Sequence, residues 1–377
     1  MSLITYVNKI HFADDVLEEA LIAETDALSV SRPFVVTDSH AAETGLIERI
    51  QDALSPRTEA VFFSETPPSP TETACEQAAE LYLSSQCDGI VAFGNGAAID
   101  LAKAMSILAT HDGVLSSYAA IEGGVERIKD ILPPLIAIPT TAGTGSEVGR
   151  SAVITLSDGR KLGFISPYLL PNVAICDPTL TLEMTPELTA GTGMDALSHC
   201  VETYVATAYN PPADGIALDG LGRAAANIRR AVEDGNDLSA RREMLAAAMN
   251  GALAFQKGLG GVHALSHALG SVADKELHHG TLNAILLPHV LEFNAPAVCE
   301  RYGAMKRVMN LPQECNFADA IADLNVQLRL PSSLSELGIT KQTIKRAAPI
   351  AEKDHANRTN PRRANAQDYH NIMEAAL

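Results

Sequence analysis

"IVAFGNGAAIDLAKA", residues 90 to 104, is the stretch that decides the fold of the first half of this chain. Four apolar residues stop at a Gly-Asn-Gly turn, and from about Ala97 apolar residues return at helical spacing. Strand, tight turn and helix in that order form the repeating unit of a parallel sheet, whose successive strands need a crossover rather than a hairpin. Similar apolar runs stand at "FVVT" (34 to 37), "AVFF" (60 to 63), "LIAI" (135 to 138) and "VAIC" (173 to 176). Runs that are apolar throughout, rather than alternating, predict strands covered on both faces. The reading is a doubly wound parallel-sheet α/β domain over residues 1 to 178.

Beyond "DPTLTLEMTPELTAGTG" the strand signals fade. Ala- and Leu-rich segments such as "DGIALDGLGRAAANIRRAVEDG" and "ARREMLAAAMNGALAFQKG" predict an all-helical second domain over residues 179 to 377. A chain of 377 residues accommodates two such domains, with a cleft expected between them.

Composition narrows the class further. Hydrophobic residues make up 46% and charged residues 20%, as in a soluble globular protein. A formal charge of −18 without a basic stripe speaks against a nucleic-acid partner. Six scattered cysteines, none in a C-x-x-C pair, read as free thiols in a reducing compartment. With no signal-peptide pattern at the start and no run of about 18 apolar residues, a cytoplasmic protein without a membrane partner is expected.

Two loops at the carboxyl edge of the predicted sheet carry small and hydroxylated residues. Gly94, Asn95 and Gly96 open a helix, whose free N–H groups and dipole favour an anion. "PTTAGTGSEVGR" (139 to 150) brings Thr140, Thr141, Thr144 and Ser146 to the same edge, where they serve a nucleotide or cap a helix. Ile99 replaces the third glycine of G-x-G-x-x-G, so the usual dinucleotide fingerprint is incomplete. Asp38, after "FVVT", is placed either to accept from an adenosine ribose, which favours NAD over NADP, or to start the turn "TDSH".

The second half concentrates imidazoles. Asp195 and His199 in "GMDALSHCVE", and His263 and His267 in "VHALSH", stand at i, i+4 on predicted helices, each pair on one face. Asp195, His199, His263 and one histidine of the pair His278–His279 give a carboxylate and three imidazoles, a donor set for Fe²⁺ or Zn²⁺. His267, one turn from His263, is placed for a proton relay, or as a further ligand or a hydrogen-bonding neighbour of the ligands.

Taken together, "GNGAAIDLAKA", "PTTAGTGSE", "VAICDP", "GTGMDALSHCVE", "HALSHALG", "HHGTLNAILLPHVLEFN" and "TNPR" resemble the iron-containing, or group III, alcohol dehydrogenases over nearly the whole chain. The resemblance implies a dehydroquinate synthase-like architecture, with a nicotinamide-binding α/β domain and a helical domain holding one divalent metal. It assigns the metal to Asp195, His199, His263 and His279, and proton transfer to His267. Cofactor phosphates fall to Gly94 to Gly96 and Thr140 to Ser146, the cofactor ribose to Lys161 and the adenosine ribose to Asp38. A homo-oligomer is also implied.

Four positions depart from the family pattern. G-G-G-S is replaced by Gly94, Asn95, Gly96 and Ala97, Ser69 stands for an asparagine near the adenine, and Gly149 replaces a bulkier residue. The spacer "ALGSVADKEL" before the double histidine is about two residues longer than the common version. The expected activity is NAD- and metal-dependent interconversion of a short-chain or primary alcohol with its aldehyde or ketone. Alternatives are a hydroxy-acid dehydrogenase of the 4-hydroxybutyrate type with Arg150 as carboxylate clamp, a metal-free maleylacetate reductase, and a non-catalytic nucleotide sensor or metal store.

Overall fold

The computed structural model describes residues 4, 6, 8–54, 58–272 and 277–377. Its contacts divide the chain into an α/β unit, Tyr6–Thr141 with Ser146–Glu183, and a helical unit that contains Ala142–Gly145 and Met184–Leu377. Part of the spacer before His278, residues 273 to 276, lies outside the described residues.

In the α/β unit the strands are β1 (Lys9–Phe12), β2 (Pro33–Asp38), β3 (Val61–Thr66), β4 (Gly89–Gly94), β5 (Leu135–Pro139), β6 (Ser151–Thr155), β7 (Lys161–Ile165) and β8 (Val173–Cys176). Six form one parallel sheet in the order β1-β8-β5-β4-β2-β3. Every residue of β2, β4, β5 and β8 is buried, and only the edge strands β1 and β3 reach solvent. That is why their sequences lack polar alternation.

Helices α1 (Leu17–Ala27), α2 (Ser39–Glu43), α3 (Leu46–Leu54), α4 (Glu72–Ser84) and α5 (Gly96–Thr110) cross between strands. Phe34, Val36, Ile90, Ala92 and Ala137 face α4 and α5, while Val35, Val91, Phe93, Ile136 and Ile138 face α1 and α3. The alternation along each strand therefore builds two cores on opposite faces of one sheet. The antiparallel hairpin β6–β7 is an addition to the all-parallel pattern read from the sequence. Gly159 at φ +85° in "SDGR" makes its turn, and Ala152 and Ile154 bury one side of it.

The helical unit consists of α6 (Pro186–Val205), α7 (Pro211–Glu233), α8 (Leu238–Ala254), α9 (Gly261–Val272), α10 (His279–Val308), α11 (Phe317–Gln327), α12 (Lys341–Lys353) and α13 (Ala366–Ala375). Their starts follow from the sequence: Thr185 caps α6 ahead of Pro186, Asn210 caps α7 ahead of Pro211, and Asp237 caps α8. By length and a mean hydropathy of 1.2 over 18 residues, α10 is apolar enough to cross a bilayer, although no continuous apolar run appears in its sequence. Half of that window is buried inside the fold, and α10 packs on α6, α9 and α11.

Central α6 meets the first turn of α10 at two glycines. A Cβ on Gly280 would lie 2.1 Å from the Gly191 carbonyl oxygen, and one on Gly191 would lie 2.6 Å from the His278 ring. The obstacle at Gly280 is backbone, which cannot rotate away. Gly280→Ala is expected to cost about 1–3 kcal/mol of stability, checked by denaturant unfolding. It should also move His279 away from α6.

Candidate metal centre and cofactor site

Three helices bring polar side chains to one point: Asp195 and His199 from α6, His263 from α9, and His279 and Asn283 from α10, with the His267 ring 5.9 Å from that of His263. Nε2 of His199, His263 and His279 lies 3.9, 3.7 and 3.7 Å from the same Asp195 Oδ1. Ligand atoms about 2.1 Å from a tetrahedral cation would be about 3.4 Å apart, so the spacing is only a few tenths of an ångström wide. His199 Nδ1 and Asn283 Oδ1 are buried polar atoms with no partner among the described residues. Asn283 Nδ2 donates to Asp195 Oδ1 at 2.7 Å and lies 3.4 and 3.2 Å from the His263 and His279 nitrogens. The residues present fit a divalent cation.

Electrostatics give the same answer. Burial works to raise the Asp195 carboxyl, but His199, His279 and His263 outweigh it and hold the group far below the usual carboxylate range. His263 shows the opposite balance: despite burial, Asp195 and Glu202 push it up to about 9. Burial lowers His199 to about 4. The pocket thus draws in positive charge while keeping its carboxylate ionised.

Glu202, one further turn along the Asp195 face of α6, was not singled out from the sequence. Its carboxylate accepts from the backbone N–H of Gly260 (3.0 Å), Val262 (2.6 Å) and His263 (3.4 Å), closing the first turn of α9. It also contacts His263 Nδ1 at 2.7 Å, which leaves Nε2 for the metal. Asn283 was missed as well. Both were findable by extending the ligand periodicity: Glu202 is i+7 from Asp195, and Asn283 is i+4 from His279. His278 caps α10, its Nδ1 accepting from Thr281 N–H, while His279 points its Nε2 at Asp195.

At the carboxyl edge of the α/β sheet, Asp38 is buried and committed to two amides. It accepts from Ala41 N–H, as cap of α2, and from Asn95 N–H at 2.8 Å. Gly94 permits that approach with φ +153°, since a Cβ there would lie 2.4 Å from Asp38 Oδ2. Asn95 caps α5 by accepting from Ala97 and Ala98 N–H, and Thr140 N–H donates to Gly94 O. Thr141 is buried beside them. Buried hydroxyls of Thr37, Thr66 and Thr140, at the ends of β2, β3 and β5, have no partner among the described residues. These are spare polar atoms at the edge where such folds take ligands.

Ser146 is tied in differently. It donates to Asp100 Oδ1 at 2.6 Å and accepts from Lys103 Nζ, which also reaches the carbonyls of Ser146, Gly149 and Ser151. Lys161, on β7, contributes charge to Asp100. Thr144 belongs to the helical unit, half-buried between Gly143, close to Thr192, and Gly145, close to Ala252. The Asp100–Lys103 pair was visible in sequence as two charges inside an otherwise apolar helix.

A parallel-sheet unit with open polar atoms at its carboxyl edge, and a helical unit with a candidate carboxylate–imidazole metal site, match the two-part architecture of a dehydrogenase family. Residues 8–178 match the family model for iron-containing alcohol dehydrogenase, and residues 189–377 match that for the Fe-containing alcohol dehydrogenase family, C-terminal. The chain belongs to the iron-containing alcohol dehydrogenase family and is an alcohol dehydrogenase.

It is 49% identical to 4-hydroxybutyrate dehydrogenase of Cupriavidus necator over the full length of both chains. To 1,3-propanediol dehydrogenase of Citrobacter freundii it is 35% identical, over 93% of this chain and 92% of that one. Among solved structures, a 1,3-propanediol oxidoreductase superposes with TM-score 0.93 at 33% identity over 100% of each chain. A sulfoacetaldehyde reductase from Bifidobacterium kashiwanohense in complex with NAD⁺ gives 0.89 at 27%, over 100% of this chain and 99% of that one.

Glu202→Gln keeps the size of the side chain but replaces one acceptor by a donor beside His263 and the α9 amides. Metal affinity is expected to fall about 10- to 100-fold, as read by competition with a chelator. An unchanged affinity would mean that the carboxylate does not orient His263.

Proposed function

We propose that the enzyme uses NAD and one divalent cation, Fe²⁺ or Zn²⁺, and that its substrate is a hydroxy acid of the 4-hydroxybutyrate kind. The observation that carries the cation is the convergence of three imidazole nitrogens on one buried carboxylate oxygen. A bound cation supplies Lewis-acid polarisation of the substrate oxygen, and a bound nicotinamide accepts the hydride. Asp195, His199, His263 and His279 hold the cation, and Glu202 keeps the His263 ring turned. His267 accepts the hydroxyl proton.

In the α/β unit, the opening of α5 and the Thr140 hydroxyl serve the cofactor phosphates, and Lys161 its ribose. Asp38 at the end of β2 favours NAD, because its carboxylate would repel a 2′-phosphate. The six cysteines, all free, suit a reducing, cytoplasmic setting, and assembly as a homo-oligomer accords with the family.

Support for the hydroxy acid comes from the relative that matches over its full length, a 4-hydroxybutyrate dehydrogenase. A net charge of −18 works against a carboxylate substrate at long range, so a local cation is needed. Arg150, exposed in the loop that Lys103 anchors, is the candidate.

With metal-loaded protein and NAD⁺, NADH formation should be greatest with 4-hydroxybutyrate, exceeding 1,3-propanediol and ethanol by about 10-fold or more in kcat/KM. Arg150→Ala should raise KM for the hydroxy acid and leave that for the diol unchanged. Equal rates on all three alcohols, with a uniform effect of the variant, would overturn the substrate assignment. Chelation of the metal should abolish turnover on every one of them.

A further inference from the structure

Beyond the metal ligands, the helical unit holds a second group of ionisable side chains: His267, Asp354 and His355. His267 Nδ1 lies 3.1 Å from Asp354 Oδ2, and His355 Nδ1 lies 3.4 Å from Asp354 Oδ1. One carboxylate therefore sits between two imidazoles. Their rings are nearly parallel, 5.9 Å apart at 21°. On the inner side, the His267 ring lies 5.5 Å from that of His279 and 5.9 Å from that of His263. Side-chain exposure rises from 12% at His267 and 14% at Asp354 to 45% at His355, so the three lead outward from the metal ligands.

We propose that Asp354 is the positioning residue that sets the tautomer of His267, and that His355 is the group through which the proton reaches water. The proposal rests on the reading above, in which His267 accepts the substrate hydroxyl proton. An ionised carboxylate can only accept hydrogen bonds, so the ring nitrogen facing it carries the hydrogen. His267 is thereby held as the Nδ1–H tautomer, with the Nε2 lone pair available as base, and the carboxylate stabilises the imidazolium once formed.

Asp354 is itself held firmly. It ends α12 and caps the short helical turn His355–Arg358, with Oδ1 accepting from Ala356 N–H at 2.8 Å. Burial works to raise its carboxyl, but the charge and hydrogen bond of His267 outweigh this and keep it ionised.

The proton balance is simple. In the oxidation, the substrate carbon gives a hydride to NAD and the hydroxyl gives a proton to His267 Nε2. Asp354 stays ionised and stabilises the imidazolium; the Nε2 proton then passes to His355 and into solvent, which restores the Nδ1–H tautomer for the next turnover. Reduction of the aldehyde reverses the path.

Asp354→Asn tests the positioning. With its carbonyl at the Oδ1 position the cap on Ala356 survives, while the NH₂ group faces Nδ1 and demands a lone pair there. His267 must then carry its hydrogen on Nε2 and cannot act as base. Imidazole ¹⁵N NMR of the zinc-loaded protein should show Nδ1–H in the wild type and Nε2–H in the variant. Metal content and thermal midpoint should be unchanged, with kcat lower by about 100-fold or more. Nε2–H in the wild type overturns the proposal without any variant, as does an Asn variant of normal kcat.

For the exit, single turnovers of His355→Ala are followed with a pH-indicator dye. Proton release should lag NADH formation by about 10-fold, and added imidazole should restore it. Release in step with NADH and indifferent to imidazole removes His355 from the route. Should the wild type show the Nδ1–H tautomer and yet oxidise no alcohol, the failure would belong to the functional reading rather than to the role of Asp354.

Discussion

A carboxylate that is almost wholly buried must be compensated, and in this chain Asp195 is compensated by imidazoles rather than by Arg or Lys. A guanidinium or ammonium brings a permanent charge and would fill the pocket with a closed ion pair. Imidazoles bring lone pairs and only a conditional charge, so the site keeps its attraction for a cation. This one choice dictates what surrounds it. Each ring must be held with the correct nitrogen inward, which is the work of Glu202 on His263. Each helix must also come close enough for its ring to reach, and glycines at 191 and 280 make the nearest approach.

Each helix bringing a ligand has its register fixed by something other than the ligand. Glu202 grips the amides that open α9, so the same side chain that turns His263 also sets the start of its helix. His278 caps α10, which puts His279 in the first turn, directly over α6. Cap, glycine contact and ligand are consecutive residues, His278, His279 and Gly280. The position of His279 thus depends on its neighbouring cap and on the close approach of Gly280 to Gly191.

Much of this could be read from the sequence, for identifiable reasons. The central strands were legible because strands covered on both faces carry unbroken apolar runs. The residues that converge on Asp195 were legible because i, i+4 spacing survives in one dimension. The hairpin β6–β7 was not, since its strands alternate and follow a loop rich in small residues. Glu202 stands at i+7 on the Asp195 face, but its role was not legible, because its partners, the amides of Gly260, Val262 and His263, lie some 60 positions away and have no sequence signature. His267 and Asp354 are 87 residues apart, in segments that only the packing of α9 on α12 brings together. The double histidine was ambiguous for a different reason: adjacent helix-start residues point in directions that only the cap geometry distinguishes.

Buried charge alone does not mark a functional centre, and the two units show why. In the α/β unit, Lys103 is fully buried, and burial lowers it to about 8 although Asp100 and Glu147 act against the shift. Its ammonium nevertheless donates to four oxygens, more than the three hydrogens it carries. That ammonium is saturated and braces a loop. In the helical unit, ligand-type atoms converge within 4 Å while His199 Nδ1 and Asn283 Oδ1 find no partner among the described residues. An unsatisfied buried group costs about 1–3 kcal/mol, and two beside one carboxylate represent stability given up at that point. Saturation separates the Lys103 brace from the candidate metal site, and among the described residues open polar atoms remain in both units, at the carboxyl edge of the α/β sheet as well as beside Asp195.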